Sequence, residues 1–203
     1  MKRWPLVALD ADGVLLGYLE RYADAWCDAF GARPGIRDPL GYGPLDSWDV
    51  FRLDTDGRVR LCKHFDANFW SSVPVLLRAV DACTRLHDAG FELAFVSTLD
   101  TESEASRLKN LCAFGYLIER VYATPHDGAH RSPKADRLAD LRPLAFVDDY
   151  LPYLSGVPSE VHTALVTRGA KGDPNAAPEM VLEKSTHQDL AAFADFWFQR
   201  PAT

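Results

Sequence analysis

Val7-Ala8-Leu9-Asp10-Ala11-Asp12-Gly13-Val14-Leu15 runs from a short apolar stretch into two carboxylates and a glycine. An apolar run that is continuous rather than alternating marks a strand covered by helices on both faces of a parallel sheet. Ligand sites in open α/β sheets lie at the carboxyl ends of the strands, where this run delivers its acidic residues. Asp10 and Asp12 stand two residues apart, so strand periodicity predicts that they project to one side while Ala11 points away. Gly13 lets the backbone turn sharply there. Two crowded carboxylates repel one another unless a proton or cation intervenes. An oxygen-only site of this kind suits Mg²⁺.

Working outward, residues 6–10, 93–97, 121–124, 144–148 and 162–167 form five such apolar runs. Helical patterns separate the later ones. Thr101 and Glu104 have capping-box spacing ahead of Leu108 and Leu111, with Gly115 as the stop. Ser132-Pro133 reads as an N-cap with proline at the first helical position, which puts Lys134 second. Thr186 and Asp189 repeat the box spacing before the last segment. This alternation predicts an α/β fold, a Rossmann-like doubly wound parallel sheet. From 17 to 89 the pattern is helical, with no convincing strand, and is too long for an ordinary crossover. Tyr18, Tyr22, Trp26 and Phe30 share one helix face before Gly31. Cys62, Phe65, Phe69 and Trp70 suggest a second helix, and Leu76, Leu77, Val80, Cys83 and Leu86 a third, closed by Gly90. Ten of the 23 aromatic residues fall between Tyr18 and Trp70, enough to build a small core or to line a cleft beneath it.

A second carboxylate pair, Asp148-Asp149, ends the fourth run, so two strands of one sheet would deliver four carboxylates to one edge. Ser97 ends the second core strand at that edge, where its hydroxyl could bond a phosphoryl oxygen. A lysine in the first turn of a helix opposes the helix dipole. That cost makes sense for Lys134 if an anion and carboxylates face it.

Composition narrows the partners. Of 203 residues, 29 are acidic and 22 basic, giving a formal charge of −7. A nucleic acid polymer is disfavoured, because such binding relies on Lys and Arg neutralising phosphates. Small phosphorylated molecules remain possible, since a bound cation reverses the local field. Cys27, Cys62, Cys83 and Cys112 contain no C-x-x-C pair, and Cys62-Lys63-His64 lacks the second half of a metal site, so reduced thiols are expected. The apolar N-terminal stretch is broken early by Asp10 and Asp12, and no run is long enough to span a bilayer, which points to a cytoplasmic protein with no membrane partner.

Taken together, Asp10-x-Asp12-Gly13-Val14, Ser97, Lys134 and Asp148-Asp149 resemble the four motifs of the haloacid dehalogenase (HAD) superfamily of phosphohydrolases, over residues 6–150 and in the family's order. The resemblance implies a Rossmann-like core over 1–16 and 90–203 with a helical cap at 17–89. It implies that Asp10 is the nucleophile that accepts the phosphoryl group. Asp12 would protonate the leaving oxygen and later activate water, while Ser97 and Lys134 hold the phosphoryl oxygens. Mg²⁺ would be bound by the Asp10 side chain, the Asp12 backbone carbonyl and Asp148, with Asp149 as ligand or neighbour. Because the dehalogenase branch lacks the second aspartate, Asp12 implies phosphate chemistry on a small phosphorylated metabolite. The opening motif and helical insertion are also similar to deoxyribonucleotidase-type 5′-nucleotidases, among other branches; Trp26, Phe30, Trp48, Phe65 or Trp70 could then stack on a base. A regulatory protein that binds phosphate ligands with little turnover, and a phosphotransferase to an acceptor other than water, fit the same residues. The loop from His126 to Arg131 precedes Lys134 and, with Arg168, reads first as surface.

Overall fold

Among the described residues the five apolar runs become strands of one six-stranded parallel sheet, β1 (Leu6–Leu9), β2 (Glu92–Ser97), β3 (Val121–Ala123), β4 (Ala145–Asp148) and β5 (His162–Val166), joined at one edge by β6 (Ser185–His187). Their spatial order is β3-β2-β1-β4-β5-β6. The computed structural model describes residues 4–118, 120–126, 131–167, 175 and 183–200. Every residue of β1, β4 and β5 is buried. Successive residues serve opposite faces. Val7, Leu9, Ala145 and Val147 join one apolar cluster, whereas Ala8, Phe146 and Leu165 join another.

Five helices separate β1 from β2: α1 (Tyr18–Phe30), α2 (Pro44–Ser47), α3 (Thr55–Cys62), α4 (Ala67–Ser71) and α5 (Ala79–Asp88). They are followed by α6 (Glu104–Ala113), α7 (Ala135–Leu141) and α8 (Leu190–Phe198). The first apolar cluster packs under α1, α5, α6 and α8 through Trp26, Leu86, Leu111 and Phe193; the second packs under α7 through Leu138. The two layers therefore offer side chains to the sheet from opposite sides. The chain moves outward from β1 through β2 to β3, then returns to place β4 on the other flank of β1. That reversal opens a crevice at the carboxyl ends of β1 and β4.

Local readings hold where one helix face is involved. Tyr18, Tyr22, Trp26 and Phe30 form a chain of ring contacts along α1, and Gly31 ends the helix at φ +87. Readings based on caps fare worse. The Glu104 carboxylate accepts from Ala123 N at 2.8 Å instead of closing a box on Thr101, and so ties α6 to β3. Thr186 lies in β6, and Asp189 itself caps α8 by accepting from Ala192 N at 2.7 Å. Ser132 accepts from Lys134 N at 3.2 Å, closing a turn that delays α7 until Ala135. The second helical stretch divides into α3 and α4, because Asp66 starts a new turn by accepting from Phe69 N. The third begins only at Ala79; Leu76 N donates to Leu15 O, and Leu77 is 90% exposed. β6 has no apolar run to announce it, being half-buried Ser185 and His187 on either side of exposed Thr186 at the sheet edge. Among the described residues no helix is long and apolar enough to cross a membrane.

Candidate active site

Parallel pairing sets Leu9 opposite Val147, so the residues that follow each strand emerge side by side. Asp10 N donates to Val147 O at 2.9 Å. Between their carboxylates stands Lys134, whose Nζ is 2.6 Å from Asp10 Oδ1 and 2.6 Å from Asp148 Oδ2. Lys134 is wholly buried, its ammonium 4.8 Å from the Tyr153 ring centre and 5.6 Å from that of Phe146. It comes from the turn before α7, on the Ala8–Phe146 face of the sheet, the face toward which strand alternation also directs Asp10 and Asp148. Burial works against the ammonium, but the two carboxylates outweigh it and hold Lys134 protonated, above the ordinary lysine range. Burial also pushes Asp148 above the usual carboxylate range, against the pull of Lys134.

Asp12 is placed differently from the strand-based expectation. It shares a cavity with Asp10, but its carboxylate is held from the opposite helix layer. Arg107 Nη2, on α6, donates to both of its oxygens, at 2.9 and 2.7 Å. β1 has ended at Leu9 and the backbone turns at Gly13 (φ +84), so the two-residue period no longer governs position 12. Burial raises the Asp12 pKa and nearby Asp10 adds to the effect, while Arg107 opposes it. Arg107 was missed from the sequence. Its signal was an arginine four residues before Leu111, on the helix face that α6 buries.

Asp149 lies beside Gly13 so closely that a Cβ there would sit 2.0 Å from Asp149 Oδ2. Tyr42, from the insertion, donates to Asp149 O at 3.0 Å and approaches Oδ2 at 3.3 Å. Asn175 Nδ2 donates to the same carbonyl at 2.9 Å, and Asn175 Oδ1 accepts from Leu151 N at 2.6 Å. Ser97 is buried at the end of β2. Ser97 and its neighbour Thr98 line the cavity with Asp10, Asp12, Asp149, Tyr18, Tyr42, Tyr150 and Tyr153. Its volume is about 260 Å³, below the ~300–1,000 Å³ of pockets for drug-sized ligands.

The stacking candidates are committed elsewhere. Trp26 and Trp48 are buried, with Trp48 Nε1 donating to Leu19 O. Phe30 and Phe65 pack within the insertion, and Trp70 lies over the Arg107 guanidinium at 4.9 Å. Tyrosines take the cavity wall instead. Arg131 pairs with Asp136 at the surface; Asp127 to His130 and Arg168 lie outside the described residues.

One carboxylate oxygen from each of Asp10, Asp148 and Asp149 lies within 4.8 Å of the others, and among the described residues no other cluster of three possible ligands is found. The donor set is entirely oxygen, which hard divalent cations favour over softer metals. Three carboxylates against one ammonium leave two negative charges unbalanced, with Asp12 held by Arg107 outside this cluster. The residues present therefore fit Mg²⁺. The Asp12 carboxylate is not part of this cluster, so any contact it makes with the cation falls to its backbone.

No protein-family model matches the chain, and no curated protein matches it in sequence. Solved structures do. One described as a predicted phosphoglycolate phosphatase of Haemophilus somnus 129pt superposes with a TM-score of 0.63 at 15% identity, covering 97% of this chain and 99% of that one. A HAD-hydrolase of Bacillus subtilis bound to magnesium gives 0.60 at 14%, covering 96% and 99%. A HAD family hydrolase of Deinococcus radiodurans R1, with bound phosphate and sodium, gives 0.58 at 18%, covering 98% and 99%. Structures described as dehalogenases share the architecture too. The chain has the fold of the haloacid dehalogenase superfamily, and that fold alone does not choose the reaction.

Proposed function

We propose that this chain is a Mg²⁺-dependent phosphatase that hydrolyses a small phosphomonoester through an aspartyl-phosphate on Asp10. The observation that carries the reading is the meeting of Asp10 and Asp148 on one buried ammonium, with Asp12 and Ser97 lining the same cavity. Phosphoryl transfer asks chiefly for positioning and for stabilisation of charge on the transferring oxygens. Asp10 attacks phosphorus, and its carboxylate carries the phosphoryl group while the alcohol leaves. Asp12 gives the leaving oxygen its proton, then takes one from the water that splits the acyl phosphate. Ser97 donates to a phosphoryl oxygen, and Lys134 keeps the Asp10 carboxylate aimed while supplying positive charge beside it. Mg²⁺ held by Asp10, Asp148, Asp149 and the Asp12 carbonyl would neutralise the charge of the incoming phosphate.

Residues 17–89 act as the cap of this site, since Tyr42 reaches across to Asp149 and closes one wall of the cavity. Substrate choice then falls to the tyrosines around the cavity rather than to the buried tryptophans. Asp12 separates this chemistry from carbon–halogen cleavage, where no leaving oxygen needs a proton. Solved structures of the same fold with magnesium or phosphate bound support the reading.

The test is phosphate release from p-nitrophenyl phosphate and a panel of sugar phosphates and nucleotides, with Mg²⁺ and with chelator. Asp10→Asn should lose at least about 10³-fold in kcat, since the covalent bond forms on that carboxylate. Turnover that survives this substitution, or excess chelator, would overturn the mechanism.

A further inference from the structure

We infer that Arg107 is a positioning residue for Asp12, and that the insertion holds it in place through Trp70. The guanidinium is wholly buried. Its Nη2 bonds both oxygens of Asp12, while among the described residues Nε and Nη1 have no hydrogen-bond partner. The Trp70 ring covers its face at 4.9 Å, and the helix that bears it, α4, packs against α6. Burying an arginine with two unsatisfied nitrogens is costly. An apolar residue at this position, in line with Leu111, would avoid the cost. What arginine adds is one donor nitrogen that engages both oxygens of one carboxylate.

That carboxylate is 25% exposed and faces the cavity, the only direction left open to it once Nη2 has engaged both oxygens. Without this anchor the Asp12 side chain rotates freely, and small misplacements of a reacting group cost large factors in rate. Arg107 does not line the cavity; it acts through Asp12. Trp70 belongs to the insertion and Arg107 to the core, so the contact makes the aim of Asp12 depend on how the insertion sits.

The inference rests on the phosphatase reading, in which Asp12 handles protons, and its test separates the two. With p-nitrophenyl phosphate the leaving phenolate departs without a proton, so formation of the phosphoenzyme hardly needs Asp12. Its hydrolysis does. Arg107→Met should therefore lower kcat by about 10²-fold with kcat/KM nearly unchanged, and rapid mixing should show a burst of p-nitrophenolate close to one per enzyme. On β-glycerophosphate, whose alkoxide must be protonated, kcat/KM should fall by a similar factor. In an Asp12→Asn background, Arg107→Met should cost nothing further. Equal losses in kcat and kcat/KM on p-nitrophenyl phosphate, no loss at all, or a further loss in the Asp12→Asn background would overturn the inference.

Should Arg107→Met fail to fold, Arg107→Lys carries the same kinetic comparison, with a smaller split between kcat and kcat/KM. A thermal measurement needs no turnover. Asp12→Asn, which strands a buried cation, should melt below wild type, and an Asp12→Asn variant that melts with wild type removes the pairing. If wild-type protein hydrolyses no phosphomonoester, the phosphatase reading fails while this measurement still reports on the pair.

Discussion

Replacing Lys134 by methionine keeps most of the side-chain volume and removes the charge that two buried carboxylates share. In the wild type its Nζ lies 2.6 Å from each of Asp10 and Asp148, with no exposure on the lysine and none on Asp148. Removing one partner of a buried ion pair costs about 3–5 kcal/mol, because the stranded charge stays desolvated. Two carboxylates are stranded here, but they can relieve one another by sharing a proton, so the single-pair figure is the better guide. Against a total stability of about 5–15 kcal/mol this is a large fraction. With a urea slope near the top of the ~1–3 kcal/mol/M range, as suits a chain of this length, the unfolding midpoint in chelator should fall by about 1–2 M. Mg²⁺ should then restore more stability to the variant than it adds to wild type. The cation enters a cluster with one positive charge fewer, and ligand binding to the native state adds directly to its stability. Urea titrations followed by tryptophan fluorescence, with Mg²⁺ and with chelator, measure both effects. A Lys134→Met midpoint within about 0.3 M of wild type in chelator would refute the claim that this ammonium holds the cluster together.

Gly13→Ala should damage the same site by another route. The added Cβ would fall 2.0 Å from Asp149 Oδ2 on a backbone at φ +84, a conformation costing an L residue about 1–3 kcal/mol. Mg²⁺ activation should shift to higher concentration as Asp149 is displaced, and an unchanged activation curve would count against Asp149 as a ligand. At the far end of the sheet, His162 predicts a pH dependence of stability. Arg200 donates to its Nδ1 at 2.8 Å, and its Nε2 is 2.8 Å from Ser185 Oγ, an arrangement that suits the neutral ring. Burial, helped by Arg200 and Lys184, lowers its pKa from 6.5 to about 4. Protonation therefore favours the unfolded chain, so this contribution is fully present above pH 6.5 and is lost as the pH falls toward 4. Thermal melts from pH 7 to 4.5 should show a steeper decline for wild type than for His162→Gln; parallel curves would show that the ring does not act this way.

What the chain states locally is what short-range physics controls. Continuous apolar runs had to become buried strands, and the carboxylates at their ends had to arrive at one edge once the strands lay parallel. Asp10, Ser97, Asp148 and Asp149 were legible for that reason. Gly31 and the aromatic face of α1 followed from helix geometry alone. Of their companions only Lys134 was legible, because the cost of a lysine in the first turn of a helix already asked for carboxylates facing it; the others were not. Asp12 meets Arg107 across 95 residues, and Tyr42 meets Asp149 across 107. No period or propensity extends so far; such pairs exist only once two helix layers close on the sheet from opposite sides. The caps failed for a related reason, because Glu104 found a partner in Ala123 N across the fold and Thr186 was drawn into β6 beside Leu165. Sequence alone determined which acids gather at the crevice, since burial dictates where strands run and stop. That Arg107 faces Asp12 was left to the packing of α6, because a charged side chain settles wherever the folded protein can pair it.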